Sequence, residues 1–326
     1  MKFMVVLLGG LALSVLGLVA APAAEVVEVR KIWDAAPHNA FTDLTWFNRR
    51  WFCVFREGKE HVSPDGALRV ITSTNGTSWT SAAIARHPLA DLRDPKITIT
   101  PGGELMPCAA GAMRQPNPIK HQTLAWLSPN GRDWSHAVEV GETNVWLWRI
   151  AWNSNRSAYG IGYDTNGENF TRLYSSTNGR SFKVLLKTLF NEGQPNESGL
   201  VFLPDDRLAC ILRRDGKEAH AMLGVAQPPY LDWNWRDLGA KIGGPQLIQL
   251  PDGRLIGAGR LYDGAVRTSV FSVDLATGQM SELVKLPSGG DCGYPGLVWH
   301  ENLLWVSYYS SHEGKTSIYL AKVKLD

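Results

Sequence analysis

Three residues that can carry a proton stand at one equivalent place in a repeated unit of this sequence. They are Asp94, Glu197 and Tyr294, each three positions before a repeated apolar strand. Tyr294 lies between Gly293 and Pro295, whereas a tyrosine that only filled a core would lie inside the strand among apolar neighbours. We therefore expect the three side chains to converge on one site where proton transfer is possible.

Three arginines occupy a second equivalent place, at the end of the following strand. Arg56, Arg213 and Arg260 each end an apolar run, where an unpaired guanidinium group is costly. Converging guanidinium groups repel one another unless an anion lies between them, and a carboxylate fits their fork. The pattern favours a carboxylate-binding cluster. The alternative is that each arginine pairs with a local acid, for instance Arg56 with Glu57 or Arg213 with Asp215.

The unit that positions these residues is an apolar strand, a tight polar turn and a second strand, repeated roughly every 50 residues. Turns such as "PDD" and "PDG" are typical of hairpins, and a sustained apolar period of 3.6 is missing, so helices should be few. The six copies begin at Leu44, Ile97, Ile150, Leu200, Leu247 and Leu297. The residues three positions earlier are Phe41, Asp94, Leu147, Glu197, Gly244 and Tyr294.

A second signal follows in the first three units, between two strand-like runs. It reads "STNGTSW" from Ser73, "SPNGRDW" from Ser128 and "SSTNGRSF" from Ser175, with a worn version, "AQPPYLDW", from Ala226. The glycine permits a left-handed turn, and the Ser and Asn side chains bond the turn's own backbone. We interpret these segments as structural staples of an outer hairpin.

Six four-stranded units with stapled outer hairpins predict an all-β fold, a six-bladed β-propeller that forms one domain over residues 25–326. The early segment "EVVEVRKIW" would supply the outer strand of the last blade and close the ring.

The first 24 residues have one early cation, an apolar stretch and a small-residue end, which predicts a secretory signal peptide over residues 1–24. The alternative is an uncleaved anchor. We expect an exported protein, periplasmic or extracellular, with no membrane span after cleavage. A net charge of +2 argues against a nucleic-acid partner. Four cysteines remain, as disulfides or as buried thiols, and their spacings match no zinc pattern. We expect a monomer with no cofactor and no metal.

The repeats, the staples and the charged cluster resemble the sialidase superfamily, in which the staples are called Asp boxes or bacterial neuraminidase repeats. There a glutamate opens a blade and an arginine follows, as Glu197 and Arg213 do in "NESGLVFLPDDRLACILRR". A second arginine is matched by Arg260, and a tyrosine at the start of the last blade by Tyr294. The resemblance implies that Tyr294 attacks the anomeric carbon with Glu197 as its base. A phenol with a pKa near ~10 is a weak nucleophile, so it needs such a partner.

Two departures from the family lie in blade one. Ala40 stands where the family has an arginine, so that Arg56 or Arg93 would supply the third guanidinium group. For the acid–base aspartate, the loop "REGKEHVSPDG" offers Asp65, with His61 and Glu57 as rivals. Asp65 also fits a plain turn. The last candidate, Asp94, is either a further acid or the ion-pair partner of Arg93 or Lys96.

These features together predict an exo-glycosidase of the retaining type that removes a terminal acidic sugar from a glycan or glycoconjugate. Aromatic side chains at Trp146, Trp148, Trp233 and Trp235 could stack on sugar faces. Two alternatives stay open. One is a polysaccharide lyase on uronic acid chains, in which His61 and Tyr294 would exchange protons. The other is a non-catalytic propeller that binds glycans or proteins through the same mouth.

Overall fold

The computed structural model of the chain describes residues 24–326, which form six sheets of four antiparallel strands each and no helix. This confirms the predicted six-bladed propeller. The predicted signal peptide lies outside the described residues except for Ala24, which begins the first strand. Within residues 24–326 no helix is long and apolar enough to cross a membrane.

The blades follow one another along the chain. Blade one is β2 (His38–Phe47), β3 (Arg50–Gly58), β4 (Ala67–Ser73) and β5 (Thr80–Ala85). Blade two is β6 (Ala90–Ile99), β7 (Leu105–Met113), β8 (His121–Ala125) and β9 (Val138–Val140). Blade three is β10 (Val145–Trp152), β11 (Ala158–Asp164), β12 (Thr171–Ser176) and β13 (Lys183–Phe190). Blade four is β14 (Pro195–Phe202), β15 (Leu208–Arg214), β16 (Met222–Ala226) and β17 (Trp233–Asp237). Blade five is β18 (Ile242–Gln249), β19 (Leu255–Leu261), β20 (Arg267–Val273) and β21 (Met280–Lys285). Blade six is β22 (Cys292–His300), β23 (Leu303–Ser310), β24 (Ser317–Leu325) and β1 (Ala24–Trp33).

The ring closes by joining the start of the described chain to its end. Strand β1 pairs antiparallel with β24, from Ala24 opposite Leu325 to Trp33 opposite Ile318. This is the closure predicted for "EVVEVRKIW", and it covers the edge that β24 would otherwise expose.

The burial of each strand follows its place in the blade. The second strands are covered on both faces and carry runs of apolar and small residues, such as the buried residues 208–212 of β15. The outer strands β5 and β13 are mostly exposed or half-buried. Sheets buried on both faces lose the alternation of apolar and polar residues, which explains why the second strands read as continuous apolar runs.

The first strand of every blade is interrupted by a bulge near its start. The register shifts lie between Ala40 and Asp43 in blade one, Arg93 and Lys96 in blade two, and Gly293 and Gly296 in blade six. Blades three, four and five have the same interruption. We predicted that the residues at the equivalent place of each unit, such as Asp94, Glu197 and Tyr294, precede the first strand of their blade. In the structure they lie inside that strand, at the bulge. In blade three the bulge falls on Trp148, one residue beyond the predicted Leu147.

The staple turns have the hydrogen bonds expected from their sequences. In the first, Ser73 Oγ accepts from the Gly76 amide at 2.9 Å and Asn75 Oδ1 from Thr77 and Ser78, both at 2.9 Å. Trp79 Nε1 donates to the Gly76 carbonyl at 3.1 Å. The worn fourth version keeps this last bond, from Trp233 Nε1 to the Tyr230 carbonyl at 3.0 Å.

The centre of the ring is closed by buried charges. Arg149 Nη1 lies 2.8 Å from Asp43 Oδ2, and Arg149 Nη2 donates to the Pro295 carbonyl at 3.1 Å. These contacts join blades three, one and six. A cavity of about 470 Å³ lies along the axis, lined by Asp43, Arg149 and Lys96 together with apolar residues such as Phe202. The four cysteines are buried and unpaired.

Candidate active site

Tyr294 of β22 in blade six and Glu197 of β14 in blade four meet in the folded protein. Tyr294 Oη donates to Glu197 Oε1 at 2.6 Å, and the hydrogen bond is buried. Tyr294 has φ 52° at the bulge of β22, a conformation that a tyrosine rarely adopts. Thr42 from blade one donates to its backbone carbonyl at 2.9 Å. The structure thus holds an unfavourable backbone conformation that presents the phenol to the axis, as strained residues at functional sites often do.

Glu197 is held in place by hydrogen-bond donors that surround it. Its second oxygen accepts from Arg213 Nη1 at 2.7 Å and from the Gly244 amide at 2.8 Å. Gly244 also has positive φ, and a side chain there would collide with the Tyr294 ring. Burial, followed by the negative charge of Glu197, holds the pKa of the Tyr294 hydroxyl well above its ordinary value. The phenol is therefore neutral at rest, and its proton has an acceptor already in place.

Two of the three predicted arginines reach this pair. Arg213 Nη1 also lies 3.0 Å from Tyr294 Oη, and its Nε bonds Asp215 at 3.0 Å. Arg260 lies over the Tyr294 ring, with the guanidinium carbon 5.4 Å from the ring centroid, and bonds Tyr309 and Asp291. Among the described residues, Arg213 Nη2 and Arg260 Nη1 have no hydrogen-bond partner. Each arginine thus keeps one terminal nitrogen for a ligand.

The third predicted arginine, Arg56, is not at the mouth. It is fully buried and binds both oxygens of Asp91, at 2.7 and 3.1 Å. Its remaining bonds go to Ser63 and to the Glu60 carbonyl. For Arg56 the local-acid alternative describes the structure, although the acid is Asp91 of the next blade and not Glu57.

Arg93 supplies a guanidinium group beside the mouth. Its guanidinium carbon lies 5.5 Å from the centroid of Phe41, and the Phe41 ring is 5.1 Å from that of Tyr294. Its buried Nε has no hydrogen-bond partner among the described residues, and its nearest acid oxygen, on Asp94, is 3.9 Å away. Arg93 precedes the bulge of blade two as Ala40 precedes the bulge of blade one.

Asp94 lies at the bulge of blade two with φ 47° and is buried. One carboxylate oxygen has no hydrogen-bond partner among residues 24–326. Burial raises the pKa of Asp94; the charges of Arg93 and Lys96 oppose this rise, and Glu197 adds to it. The carboxyl group is thus close enough to Glu197 to be affected by its charge.

Asp65 lies in the turn that its sequence allows. Its Oδ1 accepts from the Lys59 amide at 3.3 Å. Partial burial raises the pKa of Asp65, but hydrogen bonds from Ser63 and from the turn backbone outweigh it and leave the pKa lowered. Such a group is a poor proton donor. Glu57, the other acidic rival, bonds Arg69 at 2.8 Å and Trp33 at 2.6 Å.

A cluster joins His61, a predicted candidate, to His38 and Asp291, which the sequence reasoning missed. Asp291 Oδ2 lies 2.7 Å from His61 Nδ1 and 2.9 Å from His38 Nε2, while Oδ1 accepts from Tyr309 at 2.7 Å and Arg260 at 3.2 Å. The donor atoms of His38, His61 and Asp291 lie within 4.8 Å of one another, and hydrogen bonds join both rings to the carboxylate. Four donors already occupy both oxygens of Asp291, including a guanidinium group.

The cluster had a signal in the register. His38, Asp91 and Asp291 stand three positions before Phe41, Asp94 and Tyr294 respectively. Extending the alignment three residues upstream would therefore have singled out His38 and Asp291, although the third residue of the set, Asp91, is bound to the buried Arg56.

Only some of the predicted aromatic residues lie near the site. Trp148 is 6.0 Å from the Tyr294 ring, and Trp146 stacks on Tyr163 at 5.7 Å. The prediction for Trp233 and Trp235 was wrong, because both lie on β17, the outermost strand of blade four, and stack on each other at 5.4 Å.

The fold is shared with several solved structures. A Dyadobacter fermentans protein of unknown function superposes with a TM-score of 0.82 at 20% identity, over 94% of this chain and 100% of the other. Trypanosoma rangeli sialidase matches with a TM-score of 0.67 at 12% identity over 93% of this chain, which spans 60% of the sialidase. An α-L-arabinanase from Penicillium chrysogenum matches with a TM-score of 0.69 at 12% identity, over 92% of this chain and 99% of the other.

No protein-family model and no curated protein sequence matches this chain. The structural matches confirm the sialidase-like propeller fold, and they include glycoside hydrolases.

Proposed function

We propose that this protein is an exported glycoside hydrolase that removes a terminal sugar bearing a carboxylate. The observation that carries the proposal is the buried hydrogen bond of 2.6 Å between Tyr294 and Glu197, with Arg213 bonded to both. A neutral tyrosine bonded to a carboxylate is an activated nucleophile. It also avoids the charge repulsion that a carboxylate nucleophile would meet from an acidic substrate.

The substrate carboxylate would lie between the guanidinium groups that have free donors. Arg213 and Arg260 flank Tyr294, and Arg93 faces Phe41 beside it. Guanidinium groups in a site that is largely closed to water bind carboxylates strongly and with defined geometry. In this proposal Arg93 takes the place that was first assigned to Arg56.

The reaction proceeds in two displacements. Tyr294 Oη attacks the anomeric carbon while its proton passes to Glu197 Oε1, and the bond to the leaving oxygen breaks. Water then attacks the same carbon from the opposite face, the bond to Tyr294 breaks, and the phenolate recovers its proton from Glu197. Two inversions retain the configuration of the sugar.

Hydrolysis by Tyr294→Phe tests the proposal. On 4-nitrophenyl glycosides of a panel of acidic sugars, we expect the variant to lose at least about 10³-fold in kcat/KM, since the nucleophile is gone. Tyr308→Phe is the matched control: Tyr308 is buried in the same blade, but its hydroxyl bonds the Pro287 carbonyl at 3.0 Å. We expect this control to keep the activity of the wild type.

A fluorinated analogue of the cleaved sugar gives a second readout. We expect it to leave a covalent adduct on the peptide that contains Tyr294, detectable by mass spectrometry. Full activity of Tyr294→Phe would contradict the proposal. An unsaturated, ultraviolet-absorbing product would show a lyase instead, and binding of acidic glycans without turnover would show a binding protein.

A further inference from the structure

The mechanism above has a nucleophile and its base but no group that protonates the departing oxygen. Of the acids near the mouth, Asp65 has a lowered pKa and is bound to a turn, and the carboxylate oxygen of Asp94 that has no partner among the described residues is buried. His61 is the remaining proton carrier with an accessible ring, since its side chain is 47% exposed.

His61 lies on the loop between β3 and β4 and faces the mouth. Its ring contacts Phe41 edge-on, with centroids 5.1 Å apart, and Phe41 in turn is 5.1 Å from the ring of Tyr294. Its Nδ1 is 2.7 Å from Asp291 Oδ2, so Nδ1 carries the proton of that bond. The second ring nitrogen, Nε2, has no partner among the described residues and is free to hold or release a proton.

Asp291 is built to remain a carboxylate beside this ring. Burial raises its pKa, but hydrogen bonds from His38, His61 and Tyr309 outweigh burial and hold the pKa far below the ordinary value. A carboxylate that stays charged fixes the orientation and the tautomer of a histidine that donates to it, as in other histidine–carboxylate pairs. The charged and titratable groups around His61 are Asp291, His38 at 5.5 Å, Asp94, and Arg260 and Tyr309 through Asp291.

We propose that His61, held by Asp291, is the general acid and base of the glycosidase proposed above. In the first displacement the electron pair of the broken glycosidic bond stays on the leaving oxygen, which takes the proton from His61 Nε2. In the second, neutral His61 Nε2 takes a proton from the attacking water, and the hydroxyl forms the new bond to the anomeric carbon. One proton enters and leaves the ring in each cycle, so no other reactant is needed.

This pairing also connects the acid to the site that binds the carboxylate. Arg260 and His61 bond the two oxygens of the same Asp291 side chain. A substrate held by Arg260 would therefore lie at a fixed distance from the proton donor. The inference rests on the proposed function and assigns the one role that function leaves open.

The test measures how the His61→Asn variant hydrolyses two glycosides that differ in their leaving group. Asparagine can still donate to Asp291, but it places no group where Nε2 lies. On a methyl glycoside of the cleaved sugar, whose leaving oxygen needs a proton, kcat/KM should fall at least about 100-fold. On the 4-nitrophenyl glycoside, whose leaving group needs none, kcat/KM should stay within about 5-fold of wild type.

Two readouts separate an acid–base role from a structural one. Azide should raise kcat of His61→Asn on the 4-nitrophenyl glycoside and yield a glycosyl azide, because azide attacks the covalent intermediate without a base. The alkaline limb of the kcat/KM profile on the methyl glycoside should also disappear. His220→Ala is the matched control: His220 is 45% exposed and bonds Asp237 on β17, the outermost strand of blade four, at 3.0 Å, and it should behave as wild type.

Each outcome decides the inference. Suppose that the wild type cleaves both glycosides and that His61→Asn loses activity on both equally, or keeps full activity on both. Then His61 is not the general acid, and the proposed glycosidase function still stands. If Asp94→Asn shows the leaving-group pattern instead, Asp94 is the acid. If wild type cleaves no acidic glycoside, the proposed function fails and the acid role fails with it.

Discussion

At the scale of single residues, a guanidinium group reaches the mouth only where its local partners leave it free. Arg56 and Arg260 are equivalent in register, and each bonds an acid of the next blade, Asp91 or Asp291. Arg56 lies beneath the surface with both oxygens of Asp91 bound, whereas Arg260 keeps a free nitrogen and partial exposure. Equivalence of position therefore does not imply equivalence of role.

Substitutions of Arg93 and of Arg56 should affect substrate binding and protein stability respectively. Arg93→Gln is expected to raise KM for an acidic glycoside at least about 10-fold with little change in the free energy of unfolding. Arg56→Gln leaves Asp91 buried and unpaired, so unfolding should become easier by about 3–5 kcal/mol. Kinetics and urea unfolding of both variants measure the two effects. The opposite pattern, with binding lost in Arg56→Gln alone, would restore Arg56 to the site.

The carboxylate of Asp94 should make the folded protein less stable at pH 7 than an asparagine at the same position would. Because its pKa is raised in the folded state, stability is highest when the group is protonated and is lost as pH rises above the ordinary value of about 3.9. Asparagine removes the charge and tolerates φ 47°. We expect Asp94→Asn to raise Tm at pH 7 by at least about 2 °C, with the gain shrinking towards pH 3. Equal Tm values at pH 7 would contradict this.

At the scale of elements, the staple turns hold neighbouring blades together as well as their own hairpins. The glycine of the second staple, Gly131, has φ 73°, and a side chain there would lie 2.3 Å from the Phe52 ring of blade one. In the first staple, Gly76 faces Trp305 of blade six in the same way. The sequence predicted the turns from their Ser, Asn and Gly residues, but it carried no sign of the blade beneath each turn.

Gly131→Ala tests this contact between blades. The added methyl group meets Phe52, so the free energy of unfolding should fall by about 1–3 kcal/mol more than in Gly103→Ala. Gly103 is a matched control, since it has φ 78° in a hairpin turn with nothing within 4 Å of an added side chain. Urea unfolding of the two variants measures the difference. Equal losses would mean that backbone strain alone sets the cost.

The bulges explain which part of the site the sequence could predict. Repeat register placed Asp94, Glu197 and Tyr294 at one level, because every blade has its bulge at nearly the same point. It failed by one residue in blade three, where Trp148 occupies the bulge. Contacts between blades, such as Arg56 with Asp91 or His61 with Asp291, depend on how adjacent sheets pack, and the repeat of a single sheet does not contain that information.

At the scale of the whole molecule, the repeat was sufficient to predict the fold. Six hairpins at an even period are typical of a ring of blades, and in this protein a strand from each end of the described chain closes that ring. We predicted the closing strand β1 because residues 25–33 read as one further strand before the first unit.

Removal of the closing strand should weaken the whole ring. A chain that starts at residue 34 lacks β1 and exposes the edge of β24, so we expect a lower Tm and concentration-dependent aggregation. A chain that starts at residue 24 keeps β1 and is the control. Thermal unfolding and size-exclusion chromatography of both chains measure the effect. Equal Tm values would show that β1 adds nothing to the closed ring.

The buried charges on the axis block the passage of a glycan through the centre of the propeller. Asp43, Lys96 and Arg149 close the ring beneath the mouth and are 2%, 5% and 5% exposed. A polymer therefore cannot thread through the propeller, and whatever enters must leave by the same opening. If the protein is the exo-glycosidase proposed above, its product must leave before the next chain end can enter. Its action on a polymer would then be distributive, with a separate encounter for each bond.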